Sequence, residues 1–180
     1  HWPERTTNNF GKLNYEYCDE QHTTTILETL QALSDLVKDG KVRNIGISNE
    51  TPWGLSQYLK LSESHNLPKP LTIQNPYSLL NRSYEIGLSE FSLRENIGLL
   101  AHSPLGFGAL TGKYLNGQMP KNSRRGLFDG YDRYSNIQGE LATHEYIEIA
   151  KESGLDPAQM ALAFVRNKPF VISTIIGVTT

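Results

Sequence analysis

The chain has 180 residues, 38% of them hydrophobic and 20% charged, which suits one globular domain with a core of its own. A net charge of −2 gives no electrostatic case for nucleic acid or an anionic membrane, and a single cysteine, Cys18, excludes an internal disulfide. No apolar run approaches the ~20 residues of a spanning helix, and the cysteine usage slightly favours a reducing, cytoplasmic setting.

Trp2 to Thr24 is polar, aromatic-rich and unpatterned, and reads as a long loop. Its Trp2, Phe10, Tyr15 and Tyr17 suit either a substrate wall or packing that holds the loop down. Thr23 to Lys38 places Ile26, Leu27, Leu30, Leu33 and Val37 on one helical face. Thr25 and Glu28 have capping-box spacing, and Gly40 stands where a helix C′ residue belongs. Val42 to Ser48 is the first β-rich run. Thr51-Pro52 reads as N-cap and first residue of a helix presenting Leu55, Tyr58 and Leu59, with His65 at its end as a dipole partner. Leu71 to Asn75 is a second strand, Ser83 to Glu95 a third helix and Ile97 to Ser103 a third strand. Gly117 to Tyr134 reads as another long loop, rich in Arg, Lys and Gly. Asn136 to Ser153, stopped by Gly154, is a fourth helix, and Asp156-Pro157 starts a fifth with Met160, Ala161, Phe164 and Val165 inward. Val171 to Gly177 closes the set as a fourth strand.

The strands are largely unalternating, as expected of parallel strands covered on both faces. Helices separate them, so right-handed crossovers give an α/β fold with a parallel sheet and helices outside. The whole of 1–180 reads as one domain without an internal boundary. Both ends, at His1 and at Thr180, read as cut through structure rather than placed in a linker.

The stretch LLAHSPLGFGALTGKY, residues 99–114, carries the strongest chemical signal. An apolar strand runs into a glycine-rich turn with a lysine at its far end, an arrangement that suits a phosphate or pyrophosphate. A dinucleotide GxGxxG would need glycine where Thr111 stands. A P-loop would need four residues before Gly112-Lys113; Gly108 leaves three, Gly106 leaves five, and Tyr114 replaces the hydroxyl residue. The anion is therefore held in a third way, or the segment is simply a tight turn after a core strand.

In parallel α/β folds, chemistry gathers where strands end. Those positions here are Ser48-Asn49, Gln74-Asn75, His102-Ser103, and Gly177 with Thr179. Amides and hydroxyls of this kind suit a carboxamide and phosphate oxygens. Polar residues at strand ends are also ordinary caps. The five histidines, His1, His22, His65, His102 and His144, have no metal-ligand spacing, so no metal site is expected.

The segments HWPERTTNNFGKL (1–13), GKVRNIGISNET (40–51), TIQNPYSLLNRS (72–83), SPLGFGALTGKYLNG (103–117), LDPAQMALAFVRN (155–167) and STIIGVTT (173–180) resemble the aldo/keto reductases, most closely their Tas-like branch. That resemblance implies a (β/α)8 TIM barrel, with this chain as its C-terminal half, from the end of strand 4 through strand 8. It implies NADP(H)-dependent hydride transfer to or from an aldehyde or ketone. His1 matches the family's catalytic histidine, which orients the carbonyl. The family's aspartate, tyrosine and lysine have no counterpart here.

By the same resemblance Ser48, Asn49 and Gln74 hold the nicotinamide carboxamide, and His102 takes the place of an aromatic that stacks on the ring. Ser103, Pro104, Leu105, Gly106, Phe107, Gly108 and Leu110 match the pyrophosphate loop, with Lys113 and Arg124 as phosphate clamps. Lys121, Arg124 and Arg125 also suit a solvated loop surface. Gly177 and Thr179 match the start of the adenosine-phosphate segment. An alternative is a catalytically silent nucleotide-binding or regulatory module of the same fold. Four strands alone leave two open sheet edges, so this piece by itself is expected to pair with a copy of itself, to aggregate, or to turn over no carbonyl.

Overall fold

A computed structural model describes residues 1–7, 15–17 and 24–177. Phe10, Cys18, His22 and Thr179 lie outside the described residues. The strands pair in the order β1-β2-β3-β4, with β1 at Gly46–Ser48, β2 at Thr72–Pro76, β3 at Gly98–His102 and β4 at Val171–Thr174. The chain forms two compact units, His1–Asn75 with Gly87–Leu99, and Pro76–Ile86 with Leu100–Thr180.

In the first unit, helix α1 (Ile26–Lys38) starts on a complete Thr25–Glu28 capping box. It packs on α2 (Pro52–Ser64), whose N-cap Thr51 accepts from the Gly54 amide while Pro52 occupies the first turn. Leu30 and Leu55 are fully buried there, each contributing about 1.5–3 kcal/mol relative to exposure. β1 and β2 run parallel with Ser48 opposite Gln74. Gly40 adopts φ 68° after α1, and the Lys41 and Val42 amides both return to the Leu36 carbonyl. Residues 41 and 42 therefore close the helix rather than begin the strand, which starts four residues later than the β-rich run predicts.

The third helix is interrupted. Ser83–Glu85 forms a 3-10 turn, the chain breaks at Gly87, and α3 covers only Leu88–Glu95. Gly87 adopts φ 92°, and a Cβ there would stand 3.2 Å from Pro52 Cγ. A left-handed residue cannot continue a right-handed helix.

In the second unit, α5 (Ile137–Glu152) packs on α6 (Pro157–Arg166), and α6 packs on β4. Asn136 and Asp156 cap these helices as their sequence predicts. Tyr77, fully buried, stacks on Phe164 and meets Phe170 edge-on. Its hydroxyl donates to Glu85, which Arg82 also grips through Nε and Nη2. The Arg82 bonds first, then the Tyr77 bond, hold the Glu85 carboxyl down to about 2 against the opposing effect of burial.

The loop from Gly117 to Tyr134 contains one helical turn, α4 (Arg124–Leu127), because Ser123 caps it by accepting from the Gly126 amide. β4 stops at Thr174, short of Gly177: its neighbour β3 ends at His102, and the last bond runs from the Ile175 amide to the Ala101 carbonyl. Ile172 is 61% exposed, so β4 is not covered on both faces as the unalternating pattern predicts. Among the described residues, no helix is long and apolar enough to cross a membrane.

Candidate functional site

In the first unit, β1 delivers Ser48 and Asn49 to its carboxyl end, both buried. Asn49 turns left-handed at φ 57°, which ends the strand. The Ser48 hydroxyl donates to the Gln74 carbonyl at 2.9 Å, and the Asn49 amide N–H donates to the same oxygen at 3.0 Å. The Asn49 side-chain amide donates to Ser48 Oγ at 3.1 Å and to the His1 carbonyl at 3.3 Å. Ser48, Asn49, Gln74 and the backbone of His1 thus form one connected group. The Gln74 side-chain amide is half-buried and has no hydrogen-bond partner among the described residues. An unengaged primary amide is chemically matched to another carboxamide, offering one donor and one acceptor.

Sequence reasoning missed the residues that hold this turn in place. Arg5 forms a bidentate pair with the buried Glu50, at 3.1 and 2.7 Å, and a further bond to Thr51 Oγ1 at 3.0 Å. The guanidinium also lies over the Trp53 ring, 4.8 Å from its centroid. Nearby, Tyr58 is pushed up to about 12, first by burial and then by the Glu50 charge. The described aromatic residues of the leading segment are exposed: Trp2, Tyr15 and Tyr17 by 51%, 72% and 79%. His1 meets Trp2 edge-on, with ring centroids 5.4 Å apart.

In the second unit, β3 delivers His102, whose Nδ1 lies 3.0 Å from Ser103 Oγ. Burial, and then the charge of Arg133, lower the His102 pKa, so the ring favours the neutral form suited to stacking. After it the backbone turns left-handed at Ser103, Gly106, Phe107 and Gly108, with φ of 57°, 56°, 57° and 94°. Pro104 and Leu105 separate the first of these from the rest. The Gly106 amide donates to the Ser103 carbonyl, and the Gly108 and Leu110 amides to the Leu105 carbonyl, so the loop is a tight turn closed on its own backbone.

Aromatic packing supports the loop. Tyr114, Tyr134 and Ala109 form a buried cluster with Leu80 and Phe107 against it, and the Tyr134 hydroxyl accepts from Asn81 Nδ2 at 3.3 Å. Leu110 is buried beneath. The glycines matter for contact as well as conformation. A Cβ on Gly108 would stand 2.7 Å from Lys113 Cε, so the lysine chain lies directly across the turn.

Lys113, Arg124 and Arg125 have no carboxylate within ion-pair distance among the described residues. They rest on aromatic rings instead: Lys113 and Arg125 on Tyr114, Arg124 on Tyr131. An aromatic face orients a cation without neutralising it, which leaves the charge available to an anion. Arg124 Nη2 also lies 3.9 Å from where a Gly177 Cβ would be, so those two predicted residues are brought together. Lys121 is exposed. The cavity below the loop, about 10 Å³ and lined partly by Ala109, Tyr114, Tyr134 and Thr143, has room for no more than a water. Among the described residues, no His, Cys, Asp and Glu gather as a metal site.

The aldo/keto reductase family profile matches residues 1–180. The chain is 56% identical over 180 residues to protein Tas of Escherichia coli, covering all of this chain and 52% of that protein. It is 35% identical to an aldo-keto reductase of Babesia bovis, covering 98% of this chain and 67% of the relative. It is 32% identical to the L-glyceraldehyde 3-phosphate reductase of Escherichia coli, covering 92% and 51%. The chain therefore spans about half the length of several curated relatives. It belongs to the aldo/keto reductase family.

Proposed function

We propose that this chain is the cofactor-binding, C-terminal half of an NADPH-dependent (β/α)8-barrel oxidoreductase that moves a hydride between nicotinamide and an aldehyde or ketone. The observation that carries this reading is the left-handed glycine-rich loop with cations that no carboxylate pairs among the described residues. NADPH supplies the hydride when bound; the protein's task is to hold and orient.

Gln74, fixed by Ser48 and Asn49, takes the carboxamide. His102 lies against the nicotinamide ring. The segment from Ser103 to Leu110 receives the pyrophosphate, with Lys113 and Arg124 on its oxygens. Gly177 and Thr179 begin the adenosine-phosphate contacts. His1 orients the carbonyl oxygen. The family's aspartate, tyrosine and lysine have no counterpart in these residues, so the 180 residues by themselves turn over no carbonyl.

The test is direct titration. NADPH added to the purified chain quenches its tryptophan fluorescence with saturation, and Gln74→Leu weakens that binding. A full-length chain that neither binds NADPH nor reduces any aldehyde overturns the reading. A chain that binds NADPH yet stays inactive in full-length form supports the silent nucleotide-binding module instead.

A further inference from the structure

The turn Asn49-Glu50-Thr51 grips the segment that begins at His1 at two separate points. The Asn49 side chain donates to the His1 carbonyl at 3.3 Å, and Glu50 with Thr51 Oγ1 accepts three bonds from Arg5. Glu50 is only 2% exposed, and the Arg5 side chain is 17% exposed. Charges are seldom taken this far out of water for stability alone, because desolvation offsets most of the attraction.

The surrounding chain is shaped to accept the pair. Gly54, in the first turn of α2, would carry a Cβ 1.8 Å from Glu50 Oε2 and 2.4 Å from Arg5 Nη2. Any side chain at 54 would displace the carboxylate, the guanidinium or both. Glu50 Oε2 also accepts from the Thr51 amide at 3.0 Å, and the Glu50 carbonyl accepts from Asn75 Nδ2 at 3.2 Å. Trp53 covers the guanidinium from above. The turn is thus tied to the start of α2 through Thr51, to the end of β2 through the Glu50 carbonyl, and to residues 1–5 through Asn49, Glu50 and Thr51.

We propose that Arg5, Glu50 and Gly54 form a positioning clamp: it sets His1 and the Asn49 amide in fixed register, so that the carbonyl-orienting and carboxamide-holding groups move as one body. This rests on the hydride-transfer reading. None of the three is a catalytic residue; each acts through His1 or Asn49. A displacement of about 1 Å at such a group lowers turnover on the order of 100-fold, whereas an ion pair with a purely structural role would act on stability alone.

The experiment uses the full-length chain and four variants: Arg5→Met, Glu50→Gln, the double Arg5→Met/Glu50→Gln, and Gly54→Ala. Turnover and KM with an aromatic aldehyde, NADPH affinity by fluorescence, melting temperature, and amide hydrogen exchange of residues 1–7 are measured for each. The single charge variants lose stability because each leaves a buried charge unmatched; the double variant, with both charges gone, regains melting temperature. The clamp requires that kcat nevertheless stay down by about 10- to 100-fold in the double variant, with NADPH affinity lowered by less than kcat and faster exchange at residues 1–7. Gly54→Ala, which keeps both charges, lowers kcat in the same way.

If the double variant regains kcat along with melting temperature, or if exchange at residues 1–7 matches the parent, the clamp is overturned. A parent chain with no aldehyde turnover overturns the oxidoreductase reading and, with it, this inference. Turnover in the parent that is undiminished in every variant overturns this inference alone.

Discussion

The turn at 48–51, with one left-handed residue, and the loop at 103–113, with several, both sit at strand ends, yet they are built on opposite principles. The turn engages its side chains internally: Ser48, Asn49, Glu50 and Thr51 bond one another, Gln74 and residues 1–5. The loop withholds its charge: Lys113, with Arg124 and Arg125 of the following segment, lies on Tyr114 and Tyr131 with no carboxylate of the described residues within ion-pair distance. A neutral amide ligand demands geometry, which internal hydrogen bonding supplies. An anionic ligand demands field, which internal ion pairs would quench.

The contrast is broken most severely at the turn. Arg5→Ala leaves the buried Glu50 carboxylate uncompensated and costs about 3–5 kcal/mol, measured by urea unfolding; a loss below about 1 kcal/mol would mean the turn is not held by its ion pair. In the loop the large effect falls on binding. Lys113→Ala weakens NADPH about 10- to 100-fold while unfolding free energy stays within about 0.5 kcal/mol. Equal affinity before and after removes Lys113 from the site.

Gly108→Ala sharpens the comparison by striking the loop's conformation and the placement of Lys113 together. With φ at 94° and Lys113 Cε 2.7 Å from the new Cβ, it costs about 1–2 kcal/mol of stability, read from the same unfolding curves.

The smallest effect belongs to His102. Its pKa is lowered in the folded state by burial and by Arg133, so the unfolded chain binds the proton more readily. The stability this represents is present above the ordinary histidine value of about 6.5 and lost as pH falls through the lower folded value. Urea midpoints between pH 5 and 7.5 should decline toward acid, and His102→Trp should flatten that slope while tightening NADPH a few-fold through ring overlap. A slope that survives the substitution assigns the titration elsewhere.

Much of the fold was legible because its signals are local. The Thr25–Glu28 capping box, the Thr51-Pro52 and Asp156-Pro157 starts, and Gly40 after α1 each rely on chemistry within four residues. The glycine-rich loop was visible for the same reason, since its conformation is written in adjacent glycines. The break at Gly87 was not, because helical periodicity continues on both sides and a lone glycine does not announce the positive φ it adopts there. Nor was the turn within Gly117–Tyr134, whose Ser123 cap is hidden among basic residues.

What the sequence determined by itself, then, is the alternation of strands and helices, the family, and the residues offered at each strand end. What only the tertiary structure decided is which of those residues are already engaged. Arg5 and Glu50 are 45 positions apart, and no periodicity or spacing couples them; the pair exists because the end of β1 and the start of α2 bring a carboxylate under a guanidinium. Arg125 likewise reaches back to Tyr114, eleven residues earlier. A hydrogen bond or a stacked ring over such distances is a property of packing, and packing is fixed by the whole fold rather than by any segment of it.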